Sequence, residues 1–195
     1  MQDGLQQALQ GVATHNIVAR DIIIVCAGAL IFLMGIAWVI ALIRRRTTLT
    51  LATVGHIVVL SLLTYLVARV LGRLIIDPRP YLVAHTHPFI PLPRDNGFPS
   101  DHTLLAALMT TSLWWVDRRL VAAFAGATVL VALGRLGIEA HHTLDVLGSM
   151  AITLVAAFVS RVVPFPLTWG RPLLPAQARA SGVMARPGAG RDPLG

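Results

Sequence analysis

An all-α bundle of about five membrane-spanning helices, preceded by a helix lying at the membrane surface, is the fold this sequence predicts. Three observations predict it. The 195 residues are 55% hydrophobic and 13% charged, with a mean hydropathy of +0.72, far too apolar for a water-soluble domain. The apolar residues gather in long runs, the first of which, Ile22 to Ile43, carries no charge and is long enough as a helix to cross a hydrocarbon layer of roughly 30 Å. All 12 prolines fall in two segments, Pro78 to Pro99 and Pro164 to Pro193, so none interrupts a proposed span.

Taken in chain order, Met1 to about Arg20 sets Leu5, Leu9, Val12, Ile17 and Val18 in an amphipathic pattern, which predicts an interfacial helix. Ile22 to Ile43 is the first span. It exceeds the apolar core of a signal peptide and no small-residue cleavage site follows, so it is expected to be retained. After Arg44-Arg45-Arg46 the second span runs from Leu51 to about Ile76, with Arg69 and Arg73 in its last turns. The third covers Thr103 to Val116, the fourth Leu120 to about Leu133 and the fifth Val146 to Val163. The third and fourth are shorter than the roughly 20 residues usually needed, and extend into polar flanks where these line a hydrated pocket. Residues 1–163 are thus expected to form one membrane-embedded domain, and 164–195, rich in Pro, Gly and Arg, a disordered tail. The single Cys26 excludes an intrachain disulfide.

Charge sets the expected orientation. Arg44 to Arg46, Arg118-Arg119, Arg161 and the arginines of the tail fall on one side of five spans, and short loops rich in positive charge face the cytoplasm. The loops between spans two and three and between four and five then share the outer side. A net charge of +7 does not point to nucleic acid, because lysine is absent and the arginines divide between helix ends and tail.

Those two outer loops hold three strings suited to phosphate chemistry: Arg79-Pro80; Pro99-Ser100-Asp101-His102; and Arg135 with His141 and Asp145. Arginine binds phosphoryl oxygens bidentately, one histidine can attack phosphorus, a second can protonate the leaving oxygen, and a carboxylate can hold the attacking imidazole in one tautomer. His141 and Asp145 lie four apart and would share a helix face, with Asp145 accepting from Nδ1 and leaving Nε2 outward. The plainer alternative is a hydrogen-bonded helix start, with His142 competing for the same carboxylate. Ser100 is a candidate N-cap for the third span, whose first free N–H groups favour anions, and His102 follows one turn in. Arg79 stands between two prolines, which restrict its backbone; alone it would read as an interface anchor.

Together these strings resemble the signature of the type 2 phosphatidic acid phosphatase superfamily: Lys-x6-Arg-Pro, Pro-Ser-Gly-His and Ser-Arg-x5-His-x3-Asp. Arg79-Pro80, Pro99-Ser100-x-His102 and Arg135-x5-His141-x3-Asp145 match in order and spacing. The string from Asp95 to Thr103, with Asp101 in place of glycine, is similar to the bacitracin-resistance type of bacterial undecaprenyl pyrophosphate phosphatase. The resemblance implies that His141 is a nucleophile forming a phosphohistidine, Asp145 its orienting partner and His102 the general acid. Arg79, Arg135 and Ser100 would bind phosphate, with no metal or other cofactor. The substrate it implies is a lipid phosphate presented by the bilayer, undecaprenyl pyrophosphate first, phosphatidic acid or phosphatidylglycerol phosphate second.

Two positions depart from the pattern. Gly72 stands where the first-motif lysine belongs, which makes neighbouring Arg73 the substitute candidate for binding phosphate, and Gly134 replaces the serine before Arg135. Asp101 joins the candidate phosphate-site residues, where it repels a diphosphate unless paired with an arginine such as Arg94 or Arg73. A different class, a haem or metal carrier built on His85, His87, His102, His141 and His142, fits less well, because His56 alone lies well inside a span and His85-Thr86-His87 is a weak ligand motif.

Overall fold

The computed structural model describes residues 3–173, and within them the architecture is the expected all-α bundle. In chain order the helices are α1 (Gly4–His15), α2 (Ile17–Ile24), α3 (Leu30–Arg45), α4 (Leu51–Leu74), the short α5 (Pro80–Ala84), α6 (Asp101–Val116), α7 (Val121–Gly137) and α8 (Thr143–Val162). A π-helical turn, Val25–Ala29, joins α2 to α3, so Ile17–Arg45 forms one span of 29 residues.

Among the described residues, four segments are long and apolar enough to cross a membrane: Ile17–Arg45, Leu51–Leu74, Arg118–Gly137 and Thr143–Val162. The remaining expected span, the third in chain order and here α6, has only 16 residues. It sits at the centre, packed on α3, α4, α7 and α8, with Ala106, Met109 and Leu113 buried against Ile31, Met34 and Phe124. A helix surrounded by protein does not need the full thickness of the bilayer, because neighbouring chain rather than lipid meets its ends.

The N-terminal region corrects one expectation. Met1 to Arg20 was expected to be one interfacial helix, yet α1 stops at His15 and Asn16 begins a new helix, its Oδ1 accepting from the N–H groups of Val18 and Ala19 at 2.9 and 3.1 Å. Asparagine competes with the helix for backbone donors and so restarts the chain here. Ile17, Val18 and Arg20 therefore belong to the first span. At the far end, Leu167–Gly170 forms a 3-10 turn and the Leu173 N–H donates to Leu49 O at 2.8 Å, so the chain after α8 folds back onto the α3–α4 connection. The tail expected to be disordered lies, from residue 174 on, outside the described residues.

Two ends of the bundle emerge. One carries Arg44 to Arg46, Asp117 to Arg119 and the C-terminus of α8, tied by Arg45 to Asp117 at 2.7 Å. The other carries the loops that follow α4 and α7 and the starts of α6 and α8, where all three strings meet. Within the membrane, His56 Nδ1 donates to Ser160 O at 2.8 Å, Ser160 Oγ donates to His56 O at 2.7 Å, and the ring stacks on Trp115. This reciprocal lock between α4 and α8 accounts for His56 as a core residue.

Candidate active site

The loop between α4 and α6 is closed on itself by one side chain. Asn96 Oδ1 accepts from the Asp77 N–H at 2.7 Å, while its Nδ2 donates to the carbonyls of Gly72, Ile75 and Phe98 at 2.8, 2.8 and 3.0 Å. The Gly97 N–H then donates to Asp77 O at 2.8 Å. These bonds bring Arg79, at the start of α5, beside the entry to α6. Gly97 is required here: a Cβ would stand 2.9 Å from Asp77 O and 3.0 Å from Asp145 Oδ2, closer than ordinary packing allows.

The same glycine supplies the acceptor that orients His141. His141 Nδ1 lies 2.8 Å from Gly97 O, and a carbonyl only accepts, so Nδ1 carries the proton and Nε2 the lone pair. Nε2 in turn accepts from Arg79 Nη1 and Arg135 Nη2, both at 3.3 Å. Burial, followed by the charges of Arg135 and Arg79, pushes the His141 pKa down to about 3, against the opposing pull of the Gly97 bond. The ring is therefore neutral at pH 7, with its nucleophilic nitrogen facing two guanidinium groups.

Arg79 is held in place by three other bonds: Nε and Nη2 donate to Asp95 Oδ1 at 2.9 and 2.8 Å, and Nη1 donates to Ala140 O at 2.9 Å. Arg135 comes from the last turn of α7, is 6% exposed, and leaves its Nε without a hydrogen-bond partner among the described residues. A buried, unpaired guanidinium donor is costly unless an anion meets it.

Asp145 stands differently from the expectation. His141 precedes α8 rather than sharing its face, and the hydrogen bond expected from its Nδ1 to Asp145 goes to Gly97 O. Asp145 Oδ2 remains 3.5 Å from Nδ1 and accepts instead from the His142 N–H at 2.8 Å. The carboxylate thus serves the helix start and the imidazole together, because it is the N3 residue of α8. Burial and the neighbouring Asp145 push the Asp77 carboxyl above its ordinary range.

Ser100 occupies the N-cap of α6, fully buried, but its side chain makes no capping bond; Oγ accepts from Thr103 Oγ1 at 3.1 Å. His102 lies half-buried in the first turn, within electrostatic reach of Arg135 and Arg79. Asp101 is exposed, and among the described residues no ion pair joins it to Arg94 or Arg73. Arg73 is exposed as well, and among the described residues no hydrogen bond or ion pair links it to Arg79, Arg135 or His141.

One of the two departures from the family pattern, Gly134, has a packing reason. A Cβ on Gly134 would meet the backbone of Ala27 and Cys26 at 2.5 and 2.8 Å, so α7 presses directly on the π turn of the first span and leaves no room for serine. A Cβ on Gly72 would lie 3.1 Å from Phe98 O. Sequence reasoning did not single out Asn96, the Gly97 carbonyl, Asp77 or Asp95. The available signal was the Asp95-Asn96-Gly97 run, since such residues bond nearby backbone and permit close turns. Among the described residues no three His, Cys, Asp or Glu side chains are grouped to hold a metal ion, and His85 and His87 line a separate loop pocket with Tyr81 and Arg94.

The family model of the PAP2 superfamily matches residues 51–169. Undecaprenyl-diphosphatase BcrC of Bacillus subtilis (strain 168) is 29% identical over 160 residues, covering 78% of this chain and 79% of that protein. No solved structure matches the chain.

Proposed function

Because the chain belongs to the PAP2 superfamily, we propose that it is a lipid diphosphate phosphatase which hydrolyses undecaprenyl diphosphate to the monophosphate and so returns a cell-wall carrier lipid to use. The observation that carries this reading is the setting of His141: a neutral imidazole whose Nε2 faces Arg79 and Arg135 at 3.3 Å while Nδ1 is tied to a carbonyl. The name and identity of the Bacillus relative support the diphosphate. The grouping of arginines at the opposite end supports a bacterial inner membrane with this site on the outer face.

In the first step the terminal phosphoryl group displaces the two guanidinium groups from Nε2 and lies between them. Nε2 forms a bond to phosphorus, the bond to the bridging oxygen breaks, and His102 delivers a proton to that oxygen as the lipid monophosphate leaves. Arg79, Arg135 with its spare Nε, and the N–H groups at the start of α6 neutralise charge on the phosphoryl oxygens. Asp145 stabilises the imidazolium, and the Gly97 carbonyl keeps Nδ1 as the donor. In the second step His102 takes a proton from water, which attacks the phosphohistidine, releases inorganic phosphate and restores Nε2.

The test is phosphate release by detergent-purified protein from undecaprenyl diphosphate and from phosphatidic acid, with EDTA present and His141→Ala alongside. Release from the diphosphate that the substitution abolishes is the expected result. Preference for phosphatidic acid moves the role to phospholipid metabolism, and release from neither overturns the reading.

A further inference from the structure

Two hollows flank the catalytic end, and they differ in chemistry. On the His142 side, a pocket is lined by Asp3, Gln6, Gln10, Thr86, Glu139 and His142. Burial pushes the Glu139 carboxyl up, and Thr86 Oγ1 donates to both of its oxygens at 3.0 and 3.1 Å. This wall mixes these hydrogen-bonding groups with the apolar side chains of Pro80, Val83 and Ala84. On the His102 side, a groove of about 680 Å³ runs between α3 and α6, with Asp101 and His102 at one end and Ile31, Gly35, Val39, Ile40, Leu105 and Met109 along its length.

We propose that this groove seats the part of the substrate's hydrocarbon chain nearest the diphosphate, with Gly35 setting its bore. The inference rests on His102 as the group that protonates the leaving oxygen. The leaving oxygen carries the chain, so the chain departs past His102, and the hollow that starts at His102 is the more strongly apolar of the two. From Ile31 to Ile40 a helix rises about 14 Å at 1.5 Å per residue, which matches roughly three extended isoprene units or ten methylenes.

The groove is held open by contacts below it. Trp38 Nε1 donates to Ser112 Oγ at 2.8 Å and Arg45 pairs with Asp117 at 2.7 Å, which fixes the lower half of α3 against α6. At Gly35 a Cβ would meet no atom within 4 Å, so a side chain there projects into free groove space rather than into protein. A large residue at that position narrows the path of a long chain without disturbing the bundle, and a short prenyl group never reaches it.

The experiment compares kcat/KM for undecaprenyl diphosphate and for a five-carbon prenyl diphosphate in wild type, Gly35→Phe and, as a control on an exposed face away from the groove, Leu33→Phe. The long-to-short ratio is expected to fall at least tenfold in Gly35→Phe and to stay within twofold in Leu33→Phe. An unchanged ratio in Gly35→Phe overturns the proposal. A polyprenyl diphosphate analogue with a photoreactive group on its second isoprene, bound to the unaltered protein and mapped by mass spectrometry, gives a second measurement independent of variant folding and of turnover. Labelling within residues 31–40 and 105–109 is expected, and labelling confined to other helices overturns the groove. If the wild type hydrolyses neither diphosphate, the proposed function fails and the labelling pattern alone decides the groove.

Discussion

At one end of the bundle Arg45 pairs with Asp117; at the other Arg79 pairs with Asp95. Each arginine reaches a single carboxylate oxygen through Nε and Nη2, at 2.9 and 2.7 Å in the first pair and 2.9 and 2.8 Å in the second. Their burial is reversed. The Arg45 side chain is 39% exposed over a 17% exposed Asp117, whereas Arg79 is 6% exposed against a 65% exposed Asp95. The Arg45–Asp117 pair stays in reach of solvent, where an ion pair contributes little, and reads as a clip between α3 and α6. Arg79 is desolvated and keeps Nη1 for Ala140 O and His141 Nε2, so its charge is directed at that ring. Identical residue types do different work because of depth and direction.

The largest test of this contrast removes the ring that the buried arginines face. His141→Ala is expected to lower kcat by about 10⁴-fold or more in a phosphate-release assay, as follows from its proposed role as the nucleophile. Arg135→Ala should lower kcat/KM by about 10²- to 10³-fold through lost transition-state charge stabilisation. Its thermal stability should hold or rise, because a buried and incompletely paired charge is relieved. A clear fall in stability with activity retained would make Arg135 a structural residue like Arg45.

Acid sharpens the contrast further. The folded His141 resists protonation until about pH 3, whereas an unfolded imidazole takes a proton near pH 6.5. Below that value the unfolded state binds more protons, so stability falls as pH drops from about 6.5 toward 3, by roughly a few kcal/mol at the lower limit. Melting curves of His141→Gln should show a shallower fall over the same window, and parallel curves would remove His141 as the source. Gly134→Ser, which restores the family residue, should cost about 1–3 kcal/mol by forcing α7 off Ala27 and Cys26, read as a lowered melting temperature. Smallest of all, Arg45→Gln should cost about 1 kcal/mol or less and leave phosphate release within twofold.

Much of this was legible in the chain. Spacing alone brought Arg79, His102 and His141 to one end, because the parity of the spans places alternate loops together, and hydrophobicity delimited the helices. The partners were not legible. His141 and Asp145, four apart, suggested one helix face, but α8 begins only at Thr143, so Nδ1 meets Gly97, 44 positions away. Arg73 stood beside the missing lysine, yet it is exposed and, among the described residues, makes no ion pair.

By itself the sequence determined that the helices are apolar enough to span a membrane, their number to within the shortest of them, and which polar strings gather at one end of the bundle. These depend on composition and on spacing along one chain, which local physics reads directly. Only the tertiary structure decided which carbonyl orients His141, why Gly134 leaves no room for the expected serine, and that the hollow beside His102 is almost wholly apolar while its counterpart beside His142 mixes polar and apolar groups. Those features are contacts between residues far apart in the chain. Their geometry follows from how closely helices approach, a property that no single segment encodes.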